Sequence, residues 1–81
     1  MTLDQLKIGT TAKIISVGGQ GASRRHLLDM GLTPKTKIMV RKVAPLGDPM
    51  ELYLRGYELT IRIADAKNIE VEELALGGDQ K

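Results

Sequence analysis

The chain has 81 residues, with 12 Lys or Arg, 10 Asp or Glu, one His and no Cys, giving a formal net charge of +2. This length is that of one domain with a small hydrophobic core, and the missing cysteines exclude disulfides, thiolate nucleophiles and cysteine-based metal sites. The sequence has neither an apolar stretch near the roughly 20 residues that span a bilayer nor a signal-peptide pattern, which predicts a cytoplasmic domain without membrane insertion.

The first regular element is a strand that follows a short segment anchored by leucines. Leu3 and Leu6 are spaced as in a single helical turn or a pinned loop. Residues 12–17 (AKIISV) are half apolar and rich in β-branched side chains, which favours a strand. Residues 18–23 (GGQGAS) end this strand, because clustered glycines mark a turn.

The stretch RRHLLDMGLTP, residues 24–34, predicts a helix of about two to three turns. Ser23 or a neighbouring residue is the expected N-cap. An ion pair is expected between Arg25 and Asp29, which are four residues apart. Gly31 suits the left-handed position that follows a helix, and the proline three residues later prevents the helix from resuming.

From residue 37 onward, apolar and polar side chains alternate, as in antiparallel strands with one face in water. The alternating segments are KIMVRKV (37–43), MELYL (50–54), YELTIRI (57–63) and IEVEEL (69–74). Residues 44–49 form a loop rich in proline, and Arg55-Gly56 suits a tight two-residue hairpin. In the third segment the inward side chains are expected to be Tyr57, Leu59, Ile61 and Ile63.

These elements predict a mainly β fold, a small SH3-like β-barrel of about five short strands with one short helix inserted between strands 1 and 2. The helix is expected to plug one end of the barrel. We expect residues 1–75 to form this single domain and residues 76–81, which are small and polar, to form a disordered tail. Function then falls to the surface and the loops.

The residues suggest no catalytic set, because no nucleophile stands in a recognisable pattern with a base, and we do not expect an enzyme. The glycines ahead of Arg24 and Arg25 resemble an anion site, but a plain turn is favoured because the Lys-Ser/Thr of a P-loop is missing. A DNA recognition helix is disfavoured, since a strand and not a second helix precedes it. Two tyrosines make a poor platform for nucleic-acid bases.

His26 and Asp29 are the candidate metal ligands, since they lie about one turn apart in the predicted helix. Two ligands do not complete a site, because structural metal sites use four and catalytic sites three plus water. We therefore expect no required cofactor, and weak binding of Fe(II) or another divalent transition metal stays open.

The loop APLGDP, residues 44–49, is the most distinctive candidate for recognition. Its two prolines stiffen it, and Leu46 is expected at its exposed tip. A rigid loop that presents an apolar side chain loses little conformational entropy on binding. A plain, well-formed turn is an equally open interpretation of the same residues.

Three ordered motifs carry a family resemblance, namely LLDMGLTP (27–34), PLGDP (45–49) and Gly56-Tyr57 followed by Leu59. Over most of its length the chain resembles the FeoA family, the small cytosolic partners of the bacterial ferrous iron transport system. The resemblance implies an SH3-like fold and an accessory role in contact with the cytoplasmic part of the FeoB permease. It also implies transition-metal binding and kinship to C-terminal domains of iron- and manganese-dependent repressors.

The resulting hypothesis is a non-enzymatic adaptor that binds an FeoB-type ferrous iron permease and modulates Fe(II) uptake. Its candidate partner-binding residues are Arg24, Arg25, Pro45, Leu46, Gly47, Asp48 and Tyr57. Leu46 is the expected apolar anchor, and the two arginines are expected to steer an acidic patch. The alternatives are a stand-alone metal-responsive regulatory domain and a small nucleic-acid-binding barrel, and weak self-association is compatible with the hypothesis.

Overall fold

The computed structural model describes residues 1–74 and shows one sheet of five antiparallel strands. The strands are β1 (Thr11–Val17), β2 (Lys37–Val43), β3 (Met50–Leu54), β4 (Tyr57–Ile61) and β5 (Ile69–Glu73). Helix α1 (Gly21–Asp29) lies between β1 and β2, as predicted, and the four-residue helix α2 (Ile63–Ala66) connects β4 to β5. A single 3-10 turn at Leu3–Gln5 precedes β1. The predicted tail, residues 76–81, lies outside the described residues.

The strands follow the order β4-β3-β2-β1-β5, so that β4 and β5 are the two edge strands. The pairing shifts register between Ile14 and Ser16 of β1 and between Val40 and Lys42 of β2. Irregularities of this kind bend a strand and increase its twist. They allow the sheet to curve around a single hydrophobic core.

Inward side chains from the strands, from the C-terminal end of α1 and from the leucines near the amino terminus form most of this core. Its largest members, each less than 2% exposed, are Leu3, Ile14, Leu27, Leu32, Ile38, Val40, Met50, Leu52, Leu54 and Ile69. In β3 the alternation is complete, because Met50, Leu52 and Leu54 are buried while the two residues between them are not. Period-two alternation therefore predicted the buried face of β3 correctly.

Strand β4 departs from the predicted alternation at its first residue. Ile61 is buried and Leu59 is partly buried, but Tyr57 is 42% exposed, so the prediction of an inward Tyr57 is wrong. The Tyr57 hydroxyl donates to the Met30 carbonyl at 2.6 Å, because the end of α1 lies beside this position. The strand also ends at Ile61, since Ile63 is already the first residue of α2.

Helix α1 begins three residues earlier than the predicted start at Arg24. Its N-cap is Gln20, which makes no side-chain capping bond, so the prediction of a cap at Ser23 is wrong. The expected ion pair between Arg25 and Asp29 is not among the ion pairs of residues 1–74. Both side chains are exposed, where the entropy cost of holding two side chains together offsets most of the Coulomb attraction.

The end of α1 follows the predicted stop. Gly31 has a φ of +100°, and its amide donates to the Leu28 carbonyl at 3.0 Å. The amide of Leu32 donates to the Leu27 carbonyl at 3.2 Å. These two bonds form a Schellman motif, which satisfies carbonyls that the helix leaves unpaired. Leu27 and Leu32 are both buried in the core.

The predicted Arg55-Gly56 turn joins β3 to β4. Both residues have positive φ, +50° and +86°, which is typical of a type I′ hairpin turn. Nη2 of Arg55 also donates to Oγ1 of Thr36 at 2.9 Å, and Thr36 is only 5% exposed. The hairpin turn is thereby connected to the segment that follows α1.

Candidate partner-binding surface

The loop between β2 and β3 presents the predicted apolar anchor. The Gly47 amide donates to the Ala44 carbonyl at 2.7 Å, and the Ala44 amide donates to the Pro49 carbonyl at 2.9 Å. These two bonds close the loop at its base. Leu46 lies between them at the tip and is 96% exposed, whereas the next most exposed large apolar side chain, Ile8, is 61% exposed. The loop therefore holds an apolar side chain in solvent on a defined backbone.

Asp48 fixes this loop to the rest of the domain. Its Oδ1 accepts a hydrogen bond from the amide of Ile63 at 2.9 Å. Ile63 is the first residue of α2, whose N-cap residue Arg62 makes no side-chain capping bond of its own. The carboxylate thus satisfies one of the unpaired amides at a helix start. Asp48 supports the position of the loop and does not simply face solvent.

Helix α2 connects the loop to the entry of α1. Asn68 lies two residues after the end of α2, and its carbonyl accepts from the Gly18 amide at 2.6 Å. Gly18 belongs to the glycine-rich segment that precedes α1. At a helical rise of about 1.5 Å per residue, Ile63 and Asn68 lie roughly 8 Å apart. The loop base and the entry to α1 are therefore attached to the two ends of the same short helix.

The two predicted arginines lie in the first half of α1. Nε of Arg24 donates to the Val17 carbonyl at 2.9 Å, which fixes its stem beside the end of β1. Both Arg24 and Arg25 are exposed, and neither forms an ion pair within residues 1–74. Their charge is therefore available to a partner near the entry of α1.

Tyr57 is separated from the loop by the length of the β3–β4 hairpin. It pairs with Leu54 beside the hairpin turn, whereas Ile61 pairs with Met50 next to the loop. The structure therefore groups the predicted loop residues with the arginines around α2, and it places Tyr57 elsewhere. The role that the contacts give Tyr57 is to connect β4 to the end of α1.

We expect Tyr57→Phe to lower the free energy of unfolding by about 1 kcal/mol, because it removes the hydrogen bond to Met30 while keeping the ring. Tyr53→Phe is the matched control, since Tyr53 is similarly exposed and its hydroxyl makes no hydrogen bond within residues 1–74. Urea denaturation of both variants measures the difference. Equal stabilities would show that the Tyr57–Met30 bond contributes nothing.

A shallow apolar groove lies beside the loop and was not foreseen from the sequence. Its apolar lining comes from the end of β2, both loop prolines and the start of β3, and it encloses about 250 Å³. A second depression, which includes Asp48 and Arg62, continues from it past Pro49 and Thr60. The sequence signal was the apolar pair Val43-Ala44 directly before the first proline, which adds an apolar surface next to Leu46.

The candidate metal ligands do not form a closed site. His26 and Asp29 are both exposed on α1. Within residues 1–74, no three His, Asp or Glu side chains lie close enough together to hold a metal ion. Because a resident metal needs at least three protein ligands, these two side chains do not fit one by themselves.

None of the helices in this part of the chain has the length and apolar composition to span a membrane.

Comparison with known proteins identifies the family. A family model described as the FeoA domain matches residues 1–73. An Fe(2+) transport protein A/Fe(2+) transporter FeoB fusion protein of Porphyromonas gingivalis (strain ATCC BAA-308 / W83) is 39% identical over 72 residues. This match covers 89% of the chain but only 8% of the fusion protein, so the chain corresponds to a small part of that relative.

Two solved structures extend the comparison to the fold. The solution structure of the FeoA protein from Chlorobium tepidum is 44% identical with a TM-score of 0.86, covering 93% of this chain and 71% of that one. The zinc complex of Stenotrophomonas maltophilia FeoA, described as a prokaryotic SH3 domain protein, is 26% identical with a TM-score of 0.77, covering 89% of each chain. The predicted SH3-like fold is confirmed, and the chain belongs to the FeoA family, which is linked to ferrous iron transport.

Proposed function

We propose that this chain is a non-enzymatic, cytoplasmic accessory protein that binds the cytoplasmic part of an FeoB-type permease and modulates Fe(II) uptake. The observation that carries the proposal is the relative in which FeoA and FeoB sequences form one polypeptide. A fusion holds two domains at an effective concentration in about the millimolar range. Such an arrangement suits a contact that is weak between separate chains.

The proposed contact surface consists of the Leu46 loop, the adjacent groove and the start of α1. Leu46 supplies a large apolar side chain that is already in solvent. The hydrogen bonds at the loop base and at Asp48 hold the loop in place before binding. Pre-organisation of this kind reduces the conformational entropy lost on association. The interface therefore gains most of its affinity from one anchor seated in a partner pocket.

The arginines at the start of α1 are assigned to steering. Neither Arg24 nor Arg25 is neutralised by an ion pair within the described part of the chain. Exposed charges at the rim of an interface change the association rate and its salt dependence more than the dissociation rate. The complementary surface on FeoB is accordingly expected to be acidic.

The direct test is binding of the purified cytoplasmic part of FeoB to the immobilised full chain, followed by surface plasmon resonance at several salt concentrations. We expect saturable binding with an association rate that falls as salt rises from about 0.05 to 0.5 M. Arg24→Glu combined with Arg25→Glu should lower the association rate about tenfold or more and leave the dissociation rate nearly unchanged.

Two outcomes would contradict this proposal. Failure to bind the cytoplasmic part of FeoB up to millimolar concentration would remove the partner. Equal association rates for the wild type and the double arginine variant would remove the steering role. Lys7→Glu together with Lys37→Glu, which changes the net charge by the same sign and amount at two exposed positions outside the proposed surface, controls for net charge alone.

A further inference from the structure

The outer edge of β4 is unpaired within the described residues. Strand β4 pairs with β3 over five consecutive residues and ends the sheet. At the other edge, Thr2 bridges to Glu70 and the Val71 amide donates to the Met1 carbonyl at 2.8 Å, so the amino terminus covers part of β5. No such cover lies on β4 in residues 1–74. The two edges of the sheet are therefore unequal.

The hairpin geometry determines which backbone groups face outward. In a two-residue hairpin the flanking residues, Leu54 and Tyr57, form a hydrogen-bonded pair. Because hydrogen-bonded and non-hydrogen-bonded pairs alternate along antiparallel strands, Glu58 and Thr60 direct their amides and carbonyls away from β3. Arg62 follows with extended backbone, φ −79° and ψ 151°, and continues this series.

Strand β4 has few of the features that usually protect an edge. Natural edge strands are commonly shielded by lysine, proline, a bulge or a covering segment. The sequence YELTI contains neither lysine nor proline, and its register with β3 is continuous. Its only charge is Glu58, which the Arg41 guanidinium approaches at 3.5 Å on the outer face of the sheet. The edge is thus open to another strand.

Charge complementarity favours a second copy of β4 as the strand that pairs with this edge. When two β4 strands pair antiparallel about a two-fold axis at Thr60, Glu58 of each copy lies opposite Arg62 of the other. Opposite charges directly across a strand pair are stabilising, and like charges are destabilising. An axis at Glu58 would instead place this carboxylate against its own copy. Of these two registers, the one centred on Thr60 is favoured by charge.

We propose that two copies of this chain associate through their β4 edges, antiparallel and centred on Thr60. Paired Thr60 residues exchange two backbone hydrogen bonds, and each Arg62 amide donates to Glu58 of the other copy. The Arg62 carbonyl is already used by the amides of Asp65 and Ala66, so the pairing ends there. The contact is small, and its Kd is therefore on the order of 0.1–1 mM.

The first experiment follows the full chain by sedimentation velocity and by amide hydrogen exchange between about 0.02 and 2 mM. A monomer–dimer equilibrium is expected over this range. The amides of Thr60 and Arg62 should exchange more slowly as concentration rises, because they become bonded only in the dimer. The amide of Leu59, which already bonds to β3, should not respond.

Charge reversal tests the register. Glu58→Arg places two like-charged pairs across the interface and should weaken the dimer roughly tenfold or more, and Arg62→Glu should do the same. Combining both substitutions restores opposite charges and should restore the dimer. Thr60→Pro removes the central amide without touching the β3 ladder, and it should abolish association. Thermal unfolding of each variant establishes that it is folded, and Glu72→Arg on β5 is the matched surface control.

Three results would overturn the inference. A chain that is monomeric at 2 mM does not use this edge for self-association. A dimer with the same Kd in the Thr60→Pro and Glu58→Arg variants uses another surface. Protection of the Glu58 and Thr60 amides only after addition of the purified cytoplasmic part of FeoB would assign the edge to a strand of that protein.

Discussion

Replacing Leu46 with Asp should weaken binding of the cytoplasmic part of FeoB by at least about 30-fold, the effect of removing an interface hot spot. Leu46 is 96% exposed at a loop whose base is closed by two backbone hydrogen bonds. A carboxylate at this position would have to enter the partner's apolar pocket without a counterion, which adds a desolvation cost to the lost apolar contact. Isothermal titration calorimetry or surface plasmon resonance gives the change in Kd.

The chain offers a matched control for this substitution. Ile8 is an exposed apolar residue in the turn before β1, and Ile8→Asp introduces the same charge at a different place. Because both side chains lie in solvent, the free energy of unfolding of each variant should be within about 0.5 kcal/mol of the wild-type value. If Ile8→Asp weakens binding as much as Leu46→Asp, or if neither changes the Kd, Leu46 is not the anchor.

Gly31→Ala should lower the free energy of unfolding by about 2–3 kcal/mol, which corresponds to a fall in Tm of roughly 10–20 °C for a domain of this size. Two costs combine. Gly31 has a φ of +100°, which an L side chain adopts at a cost of about 1–2 kcal/mol. The added Cβ would also lie 2.6 Å from the Tyr57 hydroxyl oxygen. That hydroxyl must move, and its hydrogen bond to Met30, worth about 1 kcal/mol, is lost.

Two variants separate these costs. Gly47 also has positive φ, +91°, but nothing lies within 4 Å of a Cβ added there, so Gly47→Ala should show only the backbone cost. In a Tyr57→Phe background the clash disappears, and Gly31→Ala should then cost about 1 kcal/mol less than in the wild type. Urea denaturation gives the free energies of unfolding of the wild type, the three single variants and the Gly31→Ala/Tyr57→Phe double variant. Identical costs for Gly31→Ala in the two backgrounds would rule out the steric contribution.

The features that the sequence predicted well depend on short-range signals. The Arg55-Gly56 turn has the positive φ values that a type I′ hairpin needs, and Gly31 ends α1 in the expected left-handed conformation. The alternation of β3 requires only a two-residue period and one buried face. Each of these signals lies within a few residues of the feature that it determines.

The predictions that failed involve contacts between distant parts of the chain. The pattern YELTIRI alternates through Ile63, but Asp48, fifteen residues earlier, bonds to the Ile63 amide and α2 begins there. Tyr57 has the parity of an inward residue, but Met30, twenty-seven residues earlier, supplies a carbonyl that keeps the ring at the surface. Local periodicity contains no information on such partners.

In the candidate surface, too, features set by neighbouring residues were predicted and features set by distant residues were not. Exposure of Leu46 followed from the two prolines and the glycine around it, and the structure shows it at the tip. The pair Val43-Ala44 indicates an apolar surface next to the loop, but the groove itself could not be predicted, because it joins the end of β2 to Thr60 of β4, which is seventeen residues further along the chain. The anchoring of the loop by Asp48 was missed for the same reason.

The shortness of α2 has a consequence for the evolution of this surface. A four-residue helix has no stability of its own, so it depends on the contacts of Asp48 at one end and Asn68 at the other. Its length sets the gap between the Leu46 loop and the start of α1, which are the two parts of the proposed contact surface. If the proposed surface is correct, an insertion or deletion between Ile61 and Ile69 should therefore weaken binding of the proposed partner even though the side chains of that surface are retained.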